Sequence, residues 1–126
     1  MRKLLFAVAF GVAAMLGLSS GLHAAQPYSA AAFDDAQKAG KTVLLHVTAP
    51  WCPTCRAQHP IIAGIEKSKP NLVVFNVDYD TSKDLLKQLR VSSQSTLIVF
   101  KGSKEMARSS GDTKSAGIEA LVAKGL

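Results

Sequence analysis

Cysteine is scarce in this chain: Cys52 and Cys55 are the only two among 126 residues. A structural zinc centre needs about four ligands, and no second cysteine pair exists to supply them. Covalent haem attachment needs a histidine directly after the second cysteine, where Arg56 stands instead. A stabilising disulfide normally closes a long loop, because loop entropy is what the bridge removes. A bridge across two intervening residues stabilises little, so the pair reads as chemical, with a plain surface disulfide as the alternative. Other absences narrow the field further. There is no internal repeat and no low-complexity linker, which leaves one domain. Basic residues are scattered from Lys38 to Lys124 with acids between them, so there is no basic stripe interleaved with aromatics. That pattern describes a solvated surface rather than a nucleic-acid face. Without Arg2 and Lys3 the formal charge falls by two, from +6 to +4.

The first residues have a separate logic. Arg2 and Lys3 open the chain, Leu4 to Leu18 is apolar, and Ser19 to Ala25 is rich in small residues. A basic start, an apolar stretch of about 15 residues and a small-residue cut site describe a secretory signal peptide. The stretch is short for a membrane span, which takes roughly 20 apolar residues. Cleavage after Ala24 suits the small-residue preference, because a cut after Ala25 would place His23 where a small side chain is favoured. The expectation is a signal peptide over 1–24 and a folded domain over 26–126, outside the cytoplasm and, in a two-membrane bacterium, periplasmic. An uncleaved anchor is the alternative.

In the domain, Gln26-Pro27-Tyr28 reads as a lead-in, and Ser29 as the cap of a helix from Ala30 to Ala39. Thr42 to Thr48 is an apolar, β-branched run, the signature of a buried strand. A helix opens at Cys52. A second strand spans Asn71 to Asp78, a helix Ser82 to Arg90, and a third strand Thr96 to Phe100. A turn at Gly102 returns a polar edge strand, Glu105 to Ser110, before a last helix from Lys114 or Ser115. Crossovers through helices give parallel pairing, and the Gly102 turn gives an antiparallel hairpin. The expected product is a small mixed sheet with helices on both faces and its active loop at the carboxyl end of the first strand. Phe75, Phe100 and the Leu85, Leu86 and Leu89 face are expected core.

Cysteines at i and i+3 of a helix face the same way, with Cα atoms about 5–6 Å apart, inside disulfide range. Pro53 fits the first helical turn, where no amide donor is needed. Cys52 then sits at the helix N-terminus, where free amides and the dipole favour a thiolate. Cys52 is expected to attack, and Cys55, one turn in and more buried, to resolve the mixed disulfide.

These residues carry a resemblance. An apolar strand, then Ala49-Pro50-Trp51-Cys52-Pro53-Thr54-Cys55, then a helix bent at Pro60 resembles the thioredoxin superfamily. Asn76-Val77-Asp78 is similar to the family's second strand end, Thr96 to Gly102 to its antiparallel hairpin, and Gly111 to the glycine after it. The likeness covers nearly all of 28–126. It implies an α/β thioredoxin-like fold with a four-stranded mixed sheet, the family's first strand being short or missing. It implies dithiol–disulfide exchange, no organic cofactor, and a monomer. It places Trp51, Pro53, Thr54, Gln94, Ser95 and Thr96 on the substrate-binding side.

The chain departs from the family pattern in two places. The usual cis-proline before the hairpin strand is replaced by Ser95. A cis bond before a non-proline costs about 2.5–4 kcal/mol, so Gln94–Ser95 is expected to be trans, or cis and strained. In the family this loop pairs with substrate backbone, and its proline keeps metals off the sulfurs. Ser95 therefore opens both properties to question, a tolerated variant being the plainer reading. The family's buried aspartate beneath the resolving cysteine is replaced by His46, and its partner lysine by Val74. Histidine can exchange the same proton nearer neutral pH, or sit neutral and packed. His59 lies on the helix face of both cysteines, four residues after Cys55.

The leading expectation is an enzyme, a protein-disulfide oxidoreductase acting through Cys52, Cys55 and His46 on proteins with disulfides or dithiols. Reduction is slightly favoured over oxidation. Because the periplasm is kept oxidising, a reductase there needs a membrane electron-transfer partner. The alternative is a copper- or zinc-binding or delivery module using Cys52, Cys55, His46 and His59. A non-catalytic interaction domain is the third possibility.

Overall fold

The computed structural model describes residues 25–126, so the expected targeting segment at 1–24 lies outside the described residues. The centre of the sheet is set by the apolar run TVLLHVT. It forms strand β2, Thr42–Thr48, in which every residue but Thr48 is buried. A strand hidden on both faces needs cover on both sides and partners on both edges, and this one has all four. Strand β3, Leu72–Asp78, pairs with it in parallel, and β4, Thr96–Lys101, pairs antiparallel on the other edge. Strand β5, Lys104–Ser110, returns beside β4 through the Gly102 turn, where φ is +55° and glycine carries no Cβ penalty.

The lead-in needs correction. Gln26–Pro27 forms a short strand, β1, that adds to β3 in parallel. Tyr28 extends the pairing by donating its N–H to the Asn76 carbonyl at 2.9 Å. Pro27 is tolerated because it stands on the sheet edge, where a ladder donor is not required. The sheet thus has five strands in the order β1-β3-β2-β4-β5, with the family's first strand present but only two residues long.

Helices α1, Ala30–Lys38, and α3, Lys83–Gln88, cover one face, packing on Val43, Leu45, Val47, Phe75 and Phe100. Helices α2, Pro53–Ser68, and α4, Ser115–Ala123, cover the other, packing on Leu44, Leu72, Val74, Leu97 and Val99. Each buried Leu, Val or Ile contributes about 1.5–3 kcal/mol, and these two layers hold the sheet. The Ser29 hydroxyl caps α1 by accepting the Ala32 N–H at 3.3 Å. Asp34 lies past the first turn of α1 and pairs with Lys38 one turn on. Helix α3 is shorter than its leucine spacing implies, because Arg90 turns left-handed at φ +55° and ends it. Of its leucines only Leu86 is fully buried, and Leu85 and Leu89 pack at the margin. Gly125 closes the far end. A Cβ there would lie 2.5 Å from Val99, and its carbonyl accepts the Thr42 hydroxyl at 2.6 Å. Among the described residues no helix is long and apolar enough to cross a membrane.

Candidate active site

The carboxyl end of β2 delivers the chain into Ala49-Pro50-Trp51, and α2 starts immediately afterwards. Cys52 is its N-cap in extended conformation, and Pro53 occupies the first turn. The Cys55 amide donates to the Cys52 sulfur at 3.1 Å, so a sulfur takes the place that a serine or aspartate oxygen usually fills at a helix start. The two cysteines are joined as a disulfide with Cα atoms 5.3 Å apart, as the i, i+3 spacing implies. Both are buried, with Cys52 1% and Cys55 0% exposed.

Ser95 faces them. Its peptide bond is trans, like every other one described, and its φ is +64°. The loop therefore reaches the sulfurs by a left-handed residue where the family uses a cis-proline. Ser95 donates its N–H to the Val47 carbonyl at 2.7 Å, and its hydroxyl lies 3.2 Å from each sulfur. The side chain points into the protein, and Thr96 is buried as well, its hydroxyl donating to the Ser93 carbonyl at 2.8 Å. Of the six residues expected on the substrate side, Trp51 and Pro53 are exposed and Thr54 and Gln94 half-buried. Trp51 is 54% exposed and is anchored at its edge, donating Nε1–H to Asp80 at 2.8 Å. Its ring packs edge-on against Tyr79, so it stands as a fixed apolar wall beside the cysteines.

Behind the sulfurs lies a polar group that the sequence reading did not find. Gln58 is fully buried on α2. Its amide nitrogen donates to the Ser95 carbonyl at 3.1 Å and to the Asp112 carbonyl at 2.9 Å. Its oxygen meets His46 Nε2 at 2.9 Å. Since that oxygen only accepts, His46 carries its proton on Nε2. Burial pulls the His46 pKa down to about 4, with the Gln58 bond opposing and nearby His59 adding to the fall. His46 is thus neutral at pH 7. In this disulfide form His46 and Cys55 share no direct hydrogen bond. Among the described residues His46 reaches the sulfurs only through Gln58 and Ser95. The signal for Gln58 was available. Cys55, Gln58, Ile62 and Ile65 follow the helical period of one inward face, and a lone amide in such a row must find partners.

His59 packs edge-on against the His46 ring at 4.7 Å and meets the Thr48 hydroxyl at 3.3 Å. It lines a shallow cleft of about 380 Å³ with Pro50, Arg56 and Asp78. Arg56 turns its guanidinium to the Pro50 carbonyl at 3.4 Å. Among the described residues no group of three or more His, Cys, Asp and Glu side chains is arranged to hold a metal ion. A larger groove of about 910 Å³ lies between α2 and α4, and neither cysteine lines it.

A buried cysteine pair at a helix start, faced by a loop residue touching both sulfurs, is built to open and close a disulfide. Comparison with known proteins agrees. The thioredoxin family model matches residues 25–124. A thioredoxin from Chlamydia trachomatis is 34% identical over 82 residues, covering 65% of this chain and 80% of that protein. An H-type thioredoxin from Fagopyrum esculentum is 30% identical over 82 residues, covering 65% and 71%. The crystal structure of Trxlp from Edwardsiella tarda superimposes with a TM-score of 0.73 at 41% identity, covering 78% of this chain and 98% of that one. The chain belongs to the thioredoxin family and is a thiol–disulfide oxidoreductase.

Proposed function

We propose that this protein reduces disulfides of extracytoplasmic proteins, with Cys52 as the attacking thiolate and Cys55 as the resolving thiol. The observation that carries the order of attack is the N–H of Cys55 aimed at the Cys52 sulfur from 3.1 Å at the start of α2. A donor and a helix N-terminus at one sulfur favour its anionic form over that of its partner. In the reduced protein the Cys52 thiolate attacks one sulfur of a substrate disulfide. A mixed disulfide forms and one substrate thiolate leaves. Cys55, as thiolate, then attacks the Cys52 sulfur and expels the second substrate thiolate. The protein ends as the Cys52–Cys55 disulfide, two electrons poorer, and the substrate ends as two thiols. Exposed Trp51, Pro53 and half-buried Gln94 supply the apolar and backbone surface on which a substrate peptide rests.

The extracytoplasmic setting is supported by the basic start and apolar run of residues 1–24. Reducing equivalents in an oxidising compartment then come from a membrane electron donor. The test is insulin-disulfide reduction by the mature protein, with Cys52→Ser and Cys55→Ser alongside. Wild type is expected to turn over. Cys52→Ser is expected to be inert, and Cys55→Ser to stall as a mixed disulfide visible by mass. Wild-type activity no higher than that of Cys52→Ser would end the proposal.

A further inference from the structure

We propose that Ser95 is a catalytic residue of this enzyme, its hydroxyl donating a hydrogen bond to the cysteine thiolate that forms when the disulfide opens. The proposal rests on Cys52 being the attacking sulfur. The geometry is the first reason. The Ser95 oxygen stands 3.2 Å from the Cys52 sulfur and 3.2 Å from the Cys55 sulfur, at the one point that touches both ends of the bond to be broken. A disulfide sulfur is a weak acceptor and a thiolate a strong one. The same hydroxyl therefore gains most when a charge appears, which is what a group must do to lower a barrier or stabilise a product.

The second reason is how firmly Ser95 is held in a conformation that costs energy. A φ of +64° is uncommon for serine and persists only where the surroundings over-determine it. Here they do. The Ser95 N–H is bound to the Val47 carbonyl at 2.7 Å. Its carbonyl accepts from Gly111 N–H at 3.1 Å and from the Gln58 amide at 3.1 Å. Gln58 is in turn fixed by Asp112 and His46. Every backbone polar group of the residue is committed, and the hydroxyl alone is left for the sulfurs. Gln58 acts here as a positioning residue. Proline could not fill this place in this conformation, since its φ is fixed near −65° and it has no hydroxyl.

Titratable side chains around the site do not offer a competing explanation. Arg56 is turned to the Pro50 carbonyl, Asp80 to Trp51, and His46 to Gln58. The donors left for the Cys52 sulfur are the Cys55 amide and the Ser95 hydroxyl.

The test is the pH profile of Cys52 alkylation in the reduced protein, with the equilibrium potential of the Cys52–Cys55 couple, for wild type and three variants. Ser95→Ala is expected to weaken thiolate stabilisation about tenfold, moving the alkylation midpoint up by about one pH unit. Its couple is expected to become harder to reduce by about 30 mV for each tenfold loss. Ser95→Gly also lacks the hydroxyl but relaxes the backbone, so it is expected to share the shift while gaining stability. Ser95→Thr keeps the hydroxyl and is expected to retain the wild-type midpoint at some cost in stability. An unshifted midpoint in both Ser95→Ala and Ser95→Gly overturns the proposal. A shift in Ser95→Gly alone also overturns it, because backbone conformation would then be the cause. These readouts need no substrate protein. Insulin reduction by the wild type, run in parallel, separates failure of the reductase reading from failure of this one.

Discussion

The two faces of β2 are built on different principles. Val43, Leu45 and Val47 point to one side and pack in an apolar layer with Phe75, Leu86, Ile98 and Phe100, edged by the rings of Tyr28 and Tyr79. Leu44, His46 and Thr48 point to the other, and there the hydrocarbon stops one residue short of the active site. At that end His46 and Gln58 replace it with a buried chain of hydrogen bonds leading to Ser95 and the sulfurs. An apolar face loses stability in proportion to the volume removed. A polar chain loses it in steps, because each member deleted leaves another unpaired. The apolar face supports the sheet, and the polar face holds one loop against one disulfide.

Four experiments press on that difference. The largest effect belongs to the apolar face. Leu45→Ala is expected to cost about 3–4 kcal/mol in chemical denaturation, by cavity formation, with the oxidised site and its potential unchanged. A shifted potential would mean the two faces are coupled. Next is Gln58→Leu, nearly equal in volume, which strands His46 Nε2–H and the Asp112 carbonyl. It is expected to cost about 2–3 kcal/mol and, unlike Leu45→Ala, to alter the alkylation profile of Cys52 as well. A stability loss below about 0.5 kcal/mol would show that the polar chain holds nothing.

The third effect depends on pH. His46 is buried neutral, with its pKa lowered from 6.5 to about 4, chiefly by burial. A folded-state pKa below the unfolded one means that the unfolded chain binds the proton first. Its contribution is therefore full above pH 6.5 and is lost as pH falls toward about 4, with a ceiling on the order of 3 kcal/mol. Denaturation across that window should show this share of the slope in wild type, a somewhat smaller share in His59→Ala, and none in His46→Asn. NMR of the imidazole should show a neutral Nε2–H ring down to near pH 4. A ring titrating near 6.5 would contradict the burial argument. The smallest effect is at the rim. Asp80→Ala frees the Trp51 edge and is expected to raise the KM for a protein substrate severalfold, at a stability cost below about 1 kcal/mol.

Much of the fold was legible in the sequence because it depends on local pattern. The β2 run, the Cys52-Pro53 helix start and the Gly102 hairpin each carry their cause in a few adjacent residues. β1 was legible only through the resemblance, as a first strand short or missing, since Gln26–Pro27 has no strand pattern of its own and pairs only because β3 offers an edge. The early end of α3 was not legible: Arg90, just after the Leu89 cap, takes φ +55°, a left-handed turn that the leucine spacing does not announce. At the site, the cysteines and the unusual Ser95 and His46 stood out by position. Their connection did not, because it passes through Gln58, and the partners of Gln58 lie 12, 37 and 54 residues away. Periodicity shows that a buried amide needs partners, and only the tertiary fold shows which ones it finds.

The most direct measurement is to alkylate the reduced protein across pH with a limiting reagent and locate the label by mass. Labelling is expected at Cys52 first, with a midpoint clearly below the ordinary free-thiol value of about 8.5, while Cys55 stays protected. Labelling at Cys55 first, or at Cys52 only at or above that value, would contradict a thiolate held ready at the start of α2.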